Sequence, residues 1–395
     1  MSIQNQMELV SSLQAPQKPS VEVLIIAGEH SGDEQAARML RSLLDINAEA
    51  NVAALGGPEL KKAGANLIFD MMPYAVIGFA EAMKRFSEFK ALRDAIVDWI
   101  VKYKPKVVCF VDYPGLNLRV ADILHEKKVT CKSGGSIRLA YYISPQVWVW
   151  KAGRRFKMAR LLDGLAVIFP FEVDSFSDTE LDTKFVGHPF LGKDYELPIA
   201  YDSEGEVLLL PGSREGPISR IAPVMLSALE RLFESKAELK AKCIYSSDTN
   251  RDLLLGLIEK HQSLAGRIKL VPNSEKARAC CVLTSSGTMS LNCALAGIPG
   301  AIVYRIHPLT YLLGKMLVKV PYIGIANILL NRPLYPEYIQ GAAEPEALKE
   351  ELLNCIEKSD RVSKGQQGSE DLRKILDQPS GGGAGSWLHS FIGIA

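Results

Sequence analysis

The chain reads as an α/β protein made of two halves, each an open parallel sheet covered by helices. Two observations predict this. Short, wholly apolar, β-branched runs alternate with amphipathic helical stretches, and the pattern restarts after about residue 200. At 395 residues the chain is also too long for one ordinary core.

In the first half, Val21–Ala27 is a strand, followed by Gly28-Glu-His-Ser-Gly-Asp33 and a helix over Gln35–Leu44. Val107–Val111 is a second buried strand ending at Asp112, and Leu139–Ile143 and Leu165–Phe169 are further strands. In the second half Val207–Leu210 runs into Pro211-Gly-Ser-Arg214 and a helix from Ile218. Lys242–Tyr245, Arg267–Val271, Cys281–Thr284 and Gly300–Tyr304 are the remaining strands, and Leu348–Ile356 is a helix. The expected organisation is a polar tail over 1–20, a Rossmann-like domain over 21–195, a second over 200–345, and a helix with a Gly-containing tail over 346–395. Lys193–Glu206 is polar and reads as the linker, and Gly381–Gly385 as a flexible spacer. Two such halves face each other most economically across a cleft.

Bulk composition removes several function classes. A net charge of +1 provides no global field to attract nucleic acid. Seven cysteines without C-x-x-C spacing fit neither a disulfide framework nor a structural zinc site. Residues 1–20 lack an apolar core of the secretory type, and Arg305, Lys315 and Lys319 interrupt the greasiest stretch, 301–330. The expectation is a chain that is soluble or attached to a membrane face, in a reducing cytoplasm.

Four motifs fall at strand ends, where loop amides and helix N-termini of a parallel sheet converge on ligands. Gly28–Asp33 has glycines spaced G-x-x-x-G, so it fails the dinucleotide fingerprint. It either makes a tight turn, with Asp33 as an N-cap, or brings a sugar against Gly28 and Gly32, with Glu29, Ser31 or Asp33 near its hydroxyls. Asp112-Tyr-Pro-Gly-Leu-Asn117 puts a carboxylate rigidly after a buried strand, as a general base requires; a plain turn is the alternative. Gly212, Ser213 and Arg214 open a helix whose free N–H groups and added cation suit a phosphate. Ser286, Gly287 and Thr288 repeat that arrangement after the next strand. Two phosphate-type loops in one half mark a nucleotide-diphosphate site. No Walker loop, H-E-x-x-H or Asp-x-Asp motif is present, so neither a metal nor a cofactor is expected. His188 reads as structural in preference to catalytic.

Two segments suit an amphipathic ligand or lipid surface. Tyr142-Ile-Ser-Pro-Gln-Val-Trp-Val-Trp150 leads into Lys151, Arg154 and Arg155, and indoles beside cations suit anionic headgroups. Met71, Met72, Val76 and Phe79 form a second apolar patch ahead of Lys84 and Arg85. Core tryptophans behind a basic helix, and an ordinary buried helix, are the bland alternatives.

Taken in order, Ala27-Gly-Glu-x-Ser-Gly-Asp33, Gly56-Gly-Pro58, Ala75-Val-Ile-Gly-Phe79, Asp112-x-Pro114 with Asn117, Tyr142-x-Ser-Pro-Gln-Val-Trp-x-Trp150, Pro170-Phe-Glu172, Gly187-His-Pro189, Pro211-Gly-Ser-Arg214, Ser286-Gly-Thr288, Tyr304-Arg305 and Asn327 resemble the lipid-A-disaccharide synthases over residues 21–350. That resemblance implies a GT-B fold and an inverting glycosyltransferase. The reaction would join UDP-2,3-diacylglucosamine to 2,3-diacylglucosamine 1-phosphate, giving a β-1,6-linked tetraacyl disaccharide 1-phosphate and UDP, at the cytoplasmic face of an inner membrane. It implies Asp112 as base, Arg214 and Asn327 as residues needed for activity, and Asn292 and Tyr304 beside the nucleotide loops. It sets Asn117, Ser144 and Gln146 with Gly28–Asp33 on the acceptor side. Asn292, Pro217 and Ala326 depart from the family's usual residues, which bears on UDP affinity. A related enzyme on another UDP-sugar, such as a 2-epimerase, and a membrane-peripheral UDP-sugar or lipid-binding protein without turnover are the competing readings. A homo-oligomer is compatible with the sequence.

Overall fold

The computed structural model describes residues 13–75, 86–307, 321–377, 379 and 382–393. It divides into two compact units, Met1–Asp194 with Leu376–Ala395, and Tyr195–Ile375. Val76 and Phe79 of the second apolar patch lie outside the described residues.

In the first unit the strands are β1 (Val23–Ala27), β2 (Val52–Gly56), β3 (Asn66–Asp70), β4 (Val107–Val111), β5 (Arg138–Tyr142), β6 (Gly164–Val167) and β7 (Thr183–Phe185). They pair in parallel in the order β3-β2-β1-β4-β5-β6-β7. The chain therefore walks to one edge and returns to fill the other, leaving a switch point between β1 and β4. Their register runs from Val23↔Val107 to Ala27↔Val111, so the two strands end level. Alternate residues face opposite sides. Leu24, Ile26, Val108 and Phe110 join a core with α4 (Phe86–Tyr103) and α5 (Pro114–Glu126). Val23, Ile25, Val107 and Cys109 join another with α1 (His30–Ile46). Burial on both faces is why these strands carry no polar residue.

The second unit repeats the scheme with β8 (Ile199–Leu210), β9 (Ala241–Tyr245), β10 (Ile268–Pro272), β11 (Ala277–Thr284), β12 (Gly300–Tyr304) and β13 (Glu337–Ile339), in the order β10-β9-β8-β11-β12-β13. Its switch point lies between β8 and β11, which end level at Leu210↔Thr284. Helices α8 (Glu215–Ser235) and α10 (Thr288–Leu295) leave from those two ends, and α9 (Asp248–Ile258) follows β9.

Some elements differ from the sequence expectation. The second half of the expected linker is strand, because Ile199 and Ala200 pair with Ala277 and Arg278 before a bulge carries the polar stretch. β3, β7 and β13 are edge strands with polar residues, so they lacked the continuous apolar signal. Residues 346–395 contribute most of three helices: α12 (Pro345–Glu357), α13 (Ser359–Leu376) and α14 (Ala384–Ile392). The last returns to the first unit, where Trp387, Leu388 and Phe391 join the core of Met39, Leu40 and Leu43.

The short helices α2 (Pro58–Lys62) and α3 (Met72–Ala75) close the β2 and β3 ends. Asp33, 1% exposed, governs the first of these. Its Oδ1 accepts the N–H groups of Gly57 (2.7 Å) and Leu60 (3.3 Å), and its Oδ2 that of Glu59 (2.9 Å). The carboxylate so satisfies the free amides of the α2 N-terminus from a neighbouring helix. No described helix is long and apolar enough to cross a membrane. All seven cysteines are free thiols.

Replacing Asp33 by Ala strands these three amides. We expect Asp33→Ala to lower unfolding stability by about 3 kcal/mol in urea titrations, since buried unsatisfied donors cost on the order of 1–3 kcal/mol each and partly relax.

Candidate active site

At the first switch point, the β4–α5 turn is strained. Asp112 and Tyr113 take consecutive left-handed conformations, φ 45° and 47°. Each costs roughly 1–2 kcal/mol for a residue with a Cβ. Two buried side chains hold the turn in place. The Asn117 amide donates to the Asp112 carbonyl (2.7 Å) and more weakly to that of Val111 (3.4 Å), and the Tyr141 hydroxyl donates to the Asp112 carbonyl (2.6 Å). Asp112 N–H donates across to Tyr142 O (3.0 Å). Gly28 completes the fit, because a Cβ there would meet the Tyr113 ring at 2.3 Å. The Gly28–Asp33 and Asp112–Asn117 loops therefore touch.

Burial pushes the Asp112 carboxyl up to about 6, with further repulsion from Glu29 and a smaller opposing effect of the Tyr113 amide. A carboxylate in that range is half-primed to take a proton near neutrality. Glu29 and Ser31 are exposed beside it at the start of α1. After β5, Ser144 is buried with its hydroxyl on the Pro145 carbonyl (2.9 Å), Gln146 is exposed and Trp148 is half-buried.

At the second switch point the two phosphate-type loops meet. Ser285 N–H donates to Leu210 O (2.8 Å), and the Ser285 hydroxyl lies 3.6 Å from where a Gly212 Cβ would stand. Gly212 has φ +124°, a conformation open to glycine. Ser213 O accepts from the Asn250 amide (3.0 Å) of α9, which fixes the loop from behind. Arg214 is the N-cap of α8 and is exposed, with its guanidinium unpaired among the described residues. Ser286 is half-buried, and Gly287 and Thr288 are exposed at the start of α10. Free amides, two helix starts and a free cation converge on one edge, the composition of a diphosphate cradle. Tyr304 is half-buried at the end of β12, two strands from Leu210.

Several expected site residues have other work. The Asn117 NH2 is given to its turn, with its buried Oδ1 unpartnered among the described residues, and the Asp33 carboxylate is spent on α2. Asn327 is 0% exposed; its amide N–H groups go to Tyr335 O (2.7 Å) and Glu337 Oε1 (2.9 Å), and its Oδ1 accepts Tyr335 N–H (3.0 Å). It orders the segment before β13. Asn292 is buried, its Oδ1 accepting the Tyr195 hydroxyl (2.7 Å). Met71 and Met72 are core residues, not a lipid patch. Arg155 is held bidentately by Asp178 (2.7 and 2.6 Å). Lys151 and Arg154 lie over the Trp150 ring at 4.4 and 5.7 Å, leaving Trp150 half-exposed. Among the described residues no group of three or more His, Cys, Asp or Glu could hold a metal.

The sequence reading gave no role to three residues. Glu172 is buried in the first turn of α7 (Phe171–Asp174), the short helix after β6, in a motif noted without a function. Asn250 and Glu337 act at a distance from any motif, so nothing local marked them.

Two Rossmann-like units, each with ligand-ready loops at its switch point, define the GT-B class of glycosyltransferases. A putative UDP-N-acetylglucosamine 2-epimerase from Listeria monocytogenes is similar in fold (TM-score 0.61, 12% identity, 93% of this chain and 94% of that one), as is the glycotransferase of kitacinnamycin (TM-score 0.58, 12% identity, 94% and 99%). Residues 23–381 match the family model described as lipid-A-disaccharide synthetase, and the chain belongs to that family. The lipid-A-disaccharide synthase of Nitrosococcus oceani is 31% identical over 360 residues, covering 87% of this chain and 89% of that protein.

The pressure on Asp112 has a thermodynamic signature. Its folded-state proton affinity exceeds the unfolded one, so its contribution to stability is present at low pH and lost as pH rises through about 6. Asparagine tolerates the left-handed backbone and carries no charge. We expect Asp112→Asn to match wild-type stability below the ordinary carboxylate range and to exceed it by about 2 kcal/mol at pH 8, measured by urea unfolding at both pH values.

Proposed function

We propose that the chain condenses UDP-2,3-diacylglucosamine with 2,3-diacylglucosamine 1-phosphate, with Asp112 as the general base. The observation that carries the reading is a half-buried, charge-pressured carboxylate on a pinned turn at the first switch point, in a member of the lipid-A-disaccharide synthase family. Asp112 takes the proton of the acceptor 6-hydroxyl as its oxygen attacks C1 of the donor sugar. The C1–O bond to UDP breaks on the opposite face, so the new linkage is β. The transition state has oxocarbenium character, and negative charge grows on the departing diphosphate. Arg214 and the amides opening α8 and α10 stabilise that charge.

Both sugars are acylated and one is a phosphate monoester. Half-exposed Trp150 and Phe156, with Lys151 and Arg154 over the indole, suit a surface of acyl chains and anionic headgroups. These residues support our further proposal that the protein binds peripherally to the cytoplasmic face of an inner membrane.

The test is turnover in detergent with both lipid substrates, read by mass spectrometry, beside UDP binding by calorimetry. Wild type should yield the tetraacyl disaccharide 1-phosphate. Asp112→Asn should lose on the order of 10²–10⁴ in kcat and keep UDP affinity, the range for removing a general base. Arg214→Ala should weaken UDP binding as well as turnover. Near-wild-type turnover of Asp112→Asn would remove the base assignment.

A further inference from the structure

Helix α10 opens at the second phosphate-type loop. It has only eight residues, and no side chain caps its N-terminal end. Its aim at a ligand is therefore set by what grips its middle and its far end. In the middle, the Oδ1 of buried Asn292 accepts the Tyr195 hydroxyl (2.7 Å), and its Nδ2 donates to Met289 Sδ, a weak acceptor (3.8 Å). At the far end the Leu295 carbonyl accepts the Ser369 hydroxyl (2.6 Å) and the Arg373 guanidinium (3.0 Å), both from α13. A cation there also suits the negative end of the helix. A Cβ on Gly365 would stand 2.7 Å from Gly297 O, so α13 lies directly on the turn that closes α10.

The two grips share a place in the chain. Tyr195 is the first residue of the second unit, and Ser369 and Arg373 stand in the last turns before that unit ends at Ile375. The next residue, Leu376, belongs to the first unit, where its carbonyl accepts the His188 N–H (2.9 Å). Both segments by which the chain passes between its units thus hold the short helix that opens at Ser286-Gly-Thr288. Apolar burial of Leu291, Cys293 and Ala294 already anchors α10 to its unit. That attraction has no direction, whereas hydrogen bonds fix how the helix is turned and how far it slides.

We propose that Tyr195 is a positioning residue for the nucleotide, acting through Asn292, and that α10 carries nucleotide occupancy to both crossing segments. The inference rests on the reading of the Ser286–Thr288 loop as part of a diphosphate cradle. UDP held by the amides that open α10 steadies the helix along its two turns, and the bonds from Tyr195 and α13 tighten with it. Coupling of this kind is reciprocal, so loosening either grip weakens UDP by the factor that UDP tightens the grip. The proposed base, Asp112, lies in the other unit, so the effect falls on nucleotide binding and leaves the proton transfer alone.

The experiment measures UDP affinity by calorimetry and amide hydrogen exchange on the full chain, with and without UDP. Tyr195→Phe keeps the ring and removes the bond to Asn292. It should weaken UDP binding roughly threefold to tenfold, the worth of one hydrogen bond. KM for the donor sugar should rise by the same factor, with little change in kcat. In wild type, UDP should slow exchange at residues 285–292 and also at 195–199 and 369–376. In Tyr195→Phe the slowing at 195–199 should vanish while that at 285–292 stays. A merely structural tyrosine would lower stability and leave those UDP-dependent differences in place. Should Tyr195→Phe fail to fold by circular dichroism, Ser369→Ala decides instead, weakening UDP and losing the slowing at 369–376. UDP affinity in Tyr195→Phe equal to wild type, or a loss of kcat at unchanged KM, would overturn the inference alone. Exchange at 285–292 that UDP does not slow removes the diphosphate reading, and the inference with it.

Discussion

A strained turn held by buried donors is the constraint on which the proposed base of the first unit depends. Asp112 and Tyr113 sit where residues with a Cβ resist staying, and the Asn117 amide and Tyr141 hydroxyl both close on the Asp112 carbonyl. Fixing the backbone oxygen fixes the side chain's exit direction. Low solvation then follows from the same packing, since the ring of Tyr113 fills the space over Gly28. Position and proton affinity are thus set by one set of contacts, and neither can be tuned without the other.

A comparable economy appears in the second unit. Asn250 holds the Ser213 carbonyl, and Asn327 with Glu337 orders the backbone ahead of β13. Glu337 accepts the N–H groups of Ile323 (3.1 Å) and Gly324 (2.9 Å), closing the loop onto the same carboxylate. Amides and carboxylates that grip backbone groups leave loop N–H groups and Arg214 free to face a ligand. In the proposed site the binding groups would be drawn largely from the main chain, with side chains supplying the rigidity.

This division explains what could be read in advance. Strands such as Val107–Val111 announce themselves because burial on both faces leaves a continuous apolar run. The edge strand Asn66–Asp70 and the polar start of β8 form through pairing, which leaves no local trace. The switch-point loops were legible because glycine, proline and serine have few reasons to cluster after a strand. Whether a polar residue in such a loop touches ligand or holds backbone was not legible. Asp33, Asn117 and Asn327 have the composition of contact residues, and only their partners, 5 to 27 positions away, reveal them as braces. Glu172 was hidden for the converse reason, as an acid buried at the start of a four-residue helix that left no periodic signal.

The return of the C-terminal segment to the first unit bears on how the chain is made. Trp387, Leu388 and Phe391 of α14 cover apolar residues of α1 and the central strands, and Phe391 packs directly over Gly164. Those strands leave the ribosome long before α14 is synthesised, with the whole of Tyr195–Ile375 in between. At usual elongation rates the uncovered face waits roughly ten to forty seconds for its cover. The amino-terminal unit, although first out, completes its burial last, and in that interval it presents an apolar surface to chaperones and to other nascent chains.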